Sequence, residues 1–263
     1  MHMIPENIKA LIIDMDGVVW RSDAPIGDLP RIFDRIRERG LKFTFATNNG
    51  TKTPEEYAER LLGFGVKVET EQIITSARAL AHMLGQKFPR GTKIFMIGEN
   101  GIRVALEEKG YEILSVEDAP QAEAVVFGID RTINFQKVAE ATLLINSGVP
   151  FYATNSDRTF PIPRGEIPGA GSWLAVLTSA TNIQPTIAGK PFPFMMDFAL
   201  EQMGTSKADT LVVGDRLETD IASGQSAGFP TALVLSGVTT PSMAAEWSPS
   251  PDIIADDLWS LVK

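Results

Sequence analysis

The stretch Ala10-Leu11-Ile12-Ile13-Asp14-Met15-Asp16-Gly17 decides the fold. An apolar run closed by Asp-x-Asp-Gly reads as a first strand with two carboxylates at its carboxyl end, where open α/β sheets bind ligands. Working outward, an amphipathic helical pattern covers 29–39, and a second apolar run over 43–47 ends in Asn48-Asn49-Gly50, which completes a βαβ signature. Thr53-Pro54-Glu55-Glu56 opens the next helix with proline in its first turn and acid close behind, leading to a strand over 72–75. Near-continuous apolar strands separated by helices predict a parallel sheet covered on both faces.

The alternation starts again over 76–181, with strands at 93–97, 124–129 and 151–154 and helices at 101–109, 135–146 and after Gly171. Strands at 186–188, 210–214 and 231–235, with helices at 193–203 and 218–227, resemble the opening units in pattern. No repeat, low-complexity tract or flexible linker separates the parts, so an inserted domain fits better than a tandem array. The expected division is core 1–77, an inserted α/β domain 78–181, and core 182–263.

Composition narrows the chemistry. The chain has 263 residues, 44% hydrophobic and 22% charged, as in ordinary globular proteins that bury a sizeable core. Lys+Arg 24 against Asp+Glu 33 gives a net charge of −9, which argues against a nucleic acid polymer or a membrane surface as partner but leaves room for a small anion at a local cluster of donors. With no cysteine, disulfides, thiolate nucleophiles and cysteine-ligated metals are excluded. His2 and His82 are the only histidines, which speaks against a histidine-based triad. Met1-His2-Met3 reads as an expression remnant, so His2 carries no functional weight, and no apolar run approaches the ~18 residues of a spanning helix. A soluble, cytoplasmic protein is the expectation.

Further strand tips repeat the acidic theme. Thr210-Leu211-Val212-Val213-Gly214-Asp215, followed by Asp220, places acid at the end of another apolar strand. Carboxylates converging without Cys or His describe an all-oxygen site for a hard cation, Mg²⁺ above all. Thr47-Asn48-Asn49 offers a hydroxyl and backbone N–H groups that suit phosphate oxygens, and Gly189-Lys190-Pro191 offers one cation ahead of a helix. Each motif alone has a plainer reading: an Asp-Gly turn, an Asx turn, a helix cap at Asp215, a solvated lysine. Two acids, a hydroxyl, a lysine and a late acid pair, each at a strand-to-helix junction in fixed order, make coincidence a poor account.

This order resembles the haloacid dehalogenase superfamily, whose four motifs match Asp14-Met15-Asp16-Gly17, Thr47, Lys190 and Gly214-Asp215-Arg216-Leu217-Glu218-Thr219-Asp220. Thr154-Asn155-Ser156-Asp157, Ile167-Pro168-Gly169-Ala170-Gly171-Ser172 and Ser236-Gly237-Val238-Thr239-Thr240 extend the likeness to subclass IIA, the NagD-like branch of nucleotide, 4-nitrophenyl phosphate and phosphoglycolate phosphatases. Ser156 is a departure, since relatives often carry Pro or Arg between the Asn and the Asp. The resemblance implies a Rossmann-like doubly wound parallel sheet with a smaller α/β cap of the C2 type, and it allows a homodimer through the cap.

It also implies roles. Asp14 would attack phosphorus and ligate Mg²⁺, and Asp16 would act as general acid and base while giving the metal its backbone carbonyl. Asp215 would complete the metal ligands, and Asp220 would hold a metal-bound water or orient Lys190. Thr47, Asn48 and Lys190 would bind the phosphoryl oxygens. Asp130, Arg131, Asn155, Asp157 and Arg158, placed after cap strands, are candidates for contacting the leaving group, with the cap expected to be a mobile lid that sets substrate choice. A small phosphorylated metabolite is the implied substrate; a catalytically silent or regulatory phosphate-binding relative is the alternative, and it would be expected to lose Asp14 or Asp16. Other features fall away. Pro168-Gly169-Ala170-Gly171-Ser172 lacks the third glycine of a dinucleotide loop, no GxxxxGK[ST] occurs, and His82 and Met195-Met196 sit on helices at structural spacing.

Overall fold

The computed structural model describes residues 4–162 and 164–263, so His2 lies outside the described residues. The chain divides into two compact units, one formed by the chain up to Thr47, Pro54–Ile74 and everything from Lys190 onward, the other by Asn48–Thr53 with Thr75–Gly189.

The first unit is built on a six-stranded sheet in the order Ile253–Ala255, Thr231–Val234, Thr210–Gly214, Ala10–Ile13, Lys42–Thr47, Ile73–Thr75. Ala10–Ile13 lies between two parallel neighbours, and all four of its residues are buried, as an unbroken apolar run requires. Its register pairs Ile13 with Val213 on one side and with Phe45 on the other, so Asp14 leaves the sheet level with the ends of both neighbours. The helix Leu29–Glu38 buries Leu29, Ile32, Phe33 and Ile36 at three- and four-residue spacing, and Asp28 caps it by accepting from the Arg31 N–H. Phe33 packs with Phe43 and Phe45 at ring separations of 5.1 and 5.4 Å, joining helix to sheet.

The second unit carries its own parallel sheet, ordered Thr186–Ile187, Phe151–Ala153, Ala124–Phe127, Lys93–Ile97, Glu112–Leu114. Phe95, Ile97, Val125, Phe127, Ala141, Leu144, Phe151, Leu174 and Leu177 form a separate hydrophobic core beneath it. One expectation needs correction. The strand at 186–188, read as a return to the core pattern, pairs instead with Phe151–Ala153 at the edge of the second sheet, and the first unit resumes only at Lys190. The second unit is accordingly wider than 78–181. Among the described residues, no helix is long and apolar enough to cross a membrane.

Candidate active site

Three neighbouring strands of the first unit deliver Asp14, Thr47 and Asp215 to one edge of the sheet. Lys190 is buried there at 2% exposure, and its ammonium donates to Asp14 Oδ1 at 2.5 Å, Asp220 Oδ1 at 2.6 Å and the Ala46 carbonyl at 2.8 Å. Burial alone would lower its pKa; the Asp14 and Asp220 carboxylates outweigh that and hold it above its ordinary value. Asp220 reaches this position because its helix opens with a wide turn, in which the Ile221 N–H donates to the Arg216 carbonyl five residues back. Its second oxygen accepts from the Arg216 N–H at 3.1 Å, so both its oxygens are occupied by protein donors.

The carboxylates of Asp14, Asp215 and Asp220 each bring an oxygen within 4.8 Å of the others. Three carboxylates against one lysine leave this buried cluster with excess negative charge. Burial and the Asp220 charge push Asp14 well above the usual carboxylate range, and the same two causes push Asp215 up to about 7. Asp215 Oδ2 accepts from the Val238 N–H at 2.7 Å, whereas its buried Oδ1 has no partner among the described residues. An orphaned carboxylate oxygen in an all-oxygen, over-negative cluster fits a divalent hard cation. With Asp220 fully engaged, Asp14 and Asp215 are the side chains free to ligate it; the second oxygen of Asp14 takes no hydrogen bond among the described residues.

Two glycines make room for Asp215. A Cβ on Gly17, which holds φ +87°, would lie 2.4 Å from Asp215 Oδ2, and one on Gly237 would lie 1.8 Å from the same atom. The Ser236 hydroxyl donates to the Gly17 carbonyl at 2.7 Å, tying these two loops together.

Asp16 is exposed and stands apart from the carboxylate cluster. The indole N–H of buried Trp20 donates to its Oδ1 at 2.8 Å, and Trp20 in turn stacks on Tyr57 with ring centroids 6.2 Å apart. Thr47 is buried and hydrogen-bonds with the Tyr57 side chain; burial and the Asp16 charge hold that phenol far above its ordinary pKa, so it remains protonated. Neither Trp20 nor Tyr57 carries a motif signal in the sequence.

The candidates after the second unit's strands have other partners. Asp130 is buried, pairs with Lys137 Nζ at 2.7 Å and accepts from the Thr132 N–H and hydroxyl, each at 2.7 Å. Burial would raise its pKa, but these donors hold it below the ordinary value. Arg131 pairs with Glu99 at 3.4 Å at an exposed position. Asn155 and Asp157 bond each other, and the Arg158 side chain is exposed.

Comparison with known proteins matches this geometry to a family. A model described as haloacid dehalogenase-like hydrolase covers residues 11–112, and a second, described as HAD-hydrolase-like, covers 187–261. The 5'-nucleotidase YutF of Bacillus subtilis is 37% identical over 234 residues, spanning 89% of this chain and 90% of its own. The chain belongs to the haloacid dehalogenase superfamily. Among solved haloacid dehalogenase structures, the p-nitrophenyl phosphatase from Archaeoglobus fulgidus superposes with a TM-score of 0.91 at 35% identity over 97% of this chain and 98% of that one. A glycerol phosphate phosphatase from Mycobacterium tuberculosis in complex with magnesium gives 0.91 at 34% identity, covering 100% of this chain and 79% of that one. Within the superfamily the chain stands among the NagD- and 4-nitrophenylphosphatase-type phosphatases.

Proposed function

We propose that this haloacid dehalogenase phosphatase hydrolyses phosphomonoesters of small cytoplasmic metabolites through an aspartyl-phosphate on Asp14, with Mg²⁺ as its resident cation. The observation that carries this reading is the state of Asp14: buried at the tip of the first strand, one oxygen held by Lys190 and the other without a protein donor among the described residues. A carboxylate oriented in this way is a pre-positioned nucleophile.

An Asp14 oxygen forms a bond to phosphorus as the ester P–O bond breaks. Asp16, exposed and anchored by Trp20, gives its proton to the departing oxygen. Once ionised, Asp16 takes a proton from the water that attacks phosphorus, the acyl-phosphate bond breaks, and inorganic phosphate leaves with Asp14 restored. Thr47, the Asn48 backbone N–H and Lys190 hold the phosphoryl oxygens, and Asp220 fixes Lys190. Bound by Asp14, Asp215 and the Asp16 carbonyl, the cation would neutralise charge on the phosphoryl group and on the ligating acids.

The names of the relatives point to nucleoside, nitrophenol and glycerol leaving groups. We therefore assign the substrate class as small phosphorylated metabolites, including nucleoside monophosphates, sugar phosphates and phosphoglycolate. A panel of such esters assayed with Mg²⁺, after chelation, and with Asp14→Asn tests the reading. Turnover should need both the cation and Asp14; hydrolysis by Asp14→Asn at the wild-type rate would refute it.

A further inference from the structure

The second unit contains a cluster of polar side chains that this scheme does not use. Asp157, in the loop after Phe151–Ala153, accepts from the Asn48 side-chain amide through both oxygens, at 3.2 Å to Oδ1 and 3.0 Å to Oδ2. The Asn155 amide donates to its Oδ2 at 2.9 Å. Asn155 is itself buried, and its amide oxygen accepts from the Thr154 hydroxyl at 2.8 Å. Asn48 is held at its backbone as well, where its carbonyl accepts from the Ser76 hydroxyl at 2.6 Å. Gly189 completes the cluster. Its N–H donates to the Thr154 carbonyl at 2.7 Å, and a Cβ there would lie 2.6 Å from Asn48 Oδ1.

Asn48 follows Thr47 and Gly189 precedes Lys190. The residues one peptide bond away from two phosphoryl-binding groups therefore share a cluster organised by one carboxylate. Hydrogen bonds to an ionised acceptor are roughly twice as strong as neutral ones, so the Asp157 carboxylate is a strong hold on the Asn48 side chain. Both its oxygens are engaged by protein amides, which is the situation of a structural brace and not of a group waiting for a leaving group.

We propose that Asp157 is a positioning residue: by fixing Asn48 against Gly189 it sets the pose of Thr47 and Lys190 for the phosphoryl group. This rests on the phosphatase reading given above. A residue that touches the leaving group changes discrimination between esters. One that positions the phosphoryl-binding backbone lowers all esters alike and weakens inorganic phosphate as well.

The test uses the full chain with Mg²⁺, as Asp157→Asn and as the exchanged double variant Asn48→Asp/Asp157→Asn. The single change sets amide against amide at constant size, and the exchange restores one carboxylate and one amide. Asp157→Asn should lower kcat/KM for 4-nitrophenyl phosphate and for the best natural ester by the same factor, on the order of 10–100, since small misplacements at reacting groups cost about that much. Inhibition by inorganic phosphate should weaken about tenfold, by the loss of a charge-assisted bond. Hydrogen exchange of the peptide spanning residues 47–48 should accelerate, and the exchanged variant should recover most of each loss. Losses differing between esters by more than about threefold would mark a specificity residue instead and overturn the proposal. Unchanged phosphate inhibition, unchanged exchange, or no recovery in the double variant would overturn it too. Because hydrogen exchange needs no turnover, a chain inactive on every ester would refute the phosphatase reading while still reporting whether Asp157 holds residues 47–48.

Discussion

Replacing Lys190 with methionine keeps most of the side-chain volume and removes the cation bonded to two of the three clustered carboxylates. The lysine makes two charge-assisted hydrogen bonds, at 2.5 and 2.6 Å, and one to a carbonyl at 2.8 Å, all buried. Breaking a buried ion pair by removing one partner costs about 3–5 kcal/mol, and we expect that loss of stability at pH 8 without metal. The loss should shrink at lower pH. Asp14 already lies well above its ordinary value from burial and the Asp220 charge, and without Lys190 it rises further. The folded variant then holds protons that the unfolded chain has released, so its stability falls as pH rises and recovers as the acids protonate toward pH 5. Urea unfolding of both proteins at pH 5 and pH 8 in EDTA measures the difference. A deficit under about 1 kcal/mol, the scale of an exposed pair, or one equal at both pH values would refute a buried counter-charge. Activity should fall about 10²–10³-fold, as when one preorganised donor to developing charge is lost.

Three further outcomes follow from the same cluster and its neighbour. With Asp14 raised and Asp215 raised to about 7, the chelated wild type binds more protons folded than unfolded between about pH 4 and 7, so its stability should decline as pH rises through that window. Added Mg²⁺ should raise the thermal midpoint more at pH 8 than at pH 5.5, and an equal or larger gain at pH 5.5 would contradict the ligand assignment. Trp20→Phe removes the indole donor to Asp16 and should slow turnover about tenfold, with poor leaving groups hurt more than 4-nitrophenolate; an equal loss on both would show that Trp20 only packs.

The strand tips were legible because each apolar run stops abruptly at a polar residue. Asp14, Thr47 and Asp215 therefore announced their edge of the sheet, and Lys190 joined them through the order of motifs. The two-residue strand Thr186–Ile187 gave no such signal: its residues suit either sheet, and only pairing with Phe151–Ala153 decides the matter. Trp20 was silent because its bond to Asp16 closes a loop, where no periodicity marks which side chains meet. The placement of Asp157 after a strand suggested a substrate contact, but a carboxylate and an amide 109 positions apart are joined only by tertiary structure. For Asp220 the sequence leaves two roles open, orienting Lys190 or holding a metal-bound water, and the wide turn that lets it reach the lysine has no distinctive residue pattern.

The central claim is that Asp14 carries the phosphoryl group. Acid quenching within a single turnover, followed by digestion and mass spectrometry, tests it most directly. With 4-nitrophenyl phosphate, whose leaving group departs without protonation, the account predicts one phosphoryl group on the peptide bearing Asp14, transient in the wild type and accumulating in Asp16→Asn, where the residue that activates water is lost. Phosphate release with Asp14 unmodified at every time point, or modification of another residue, would contradict it.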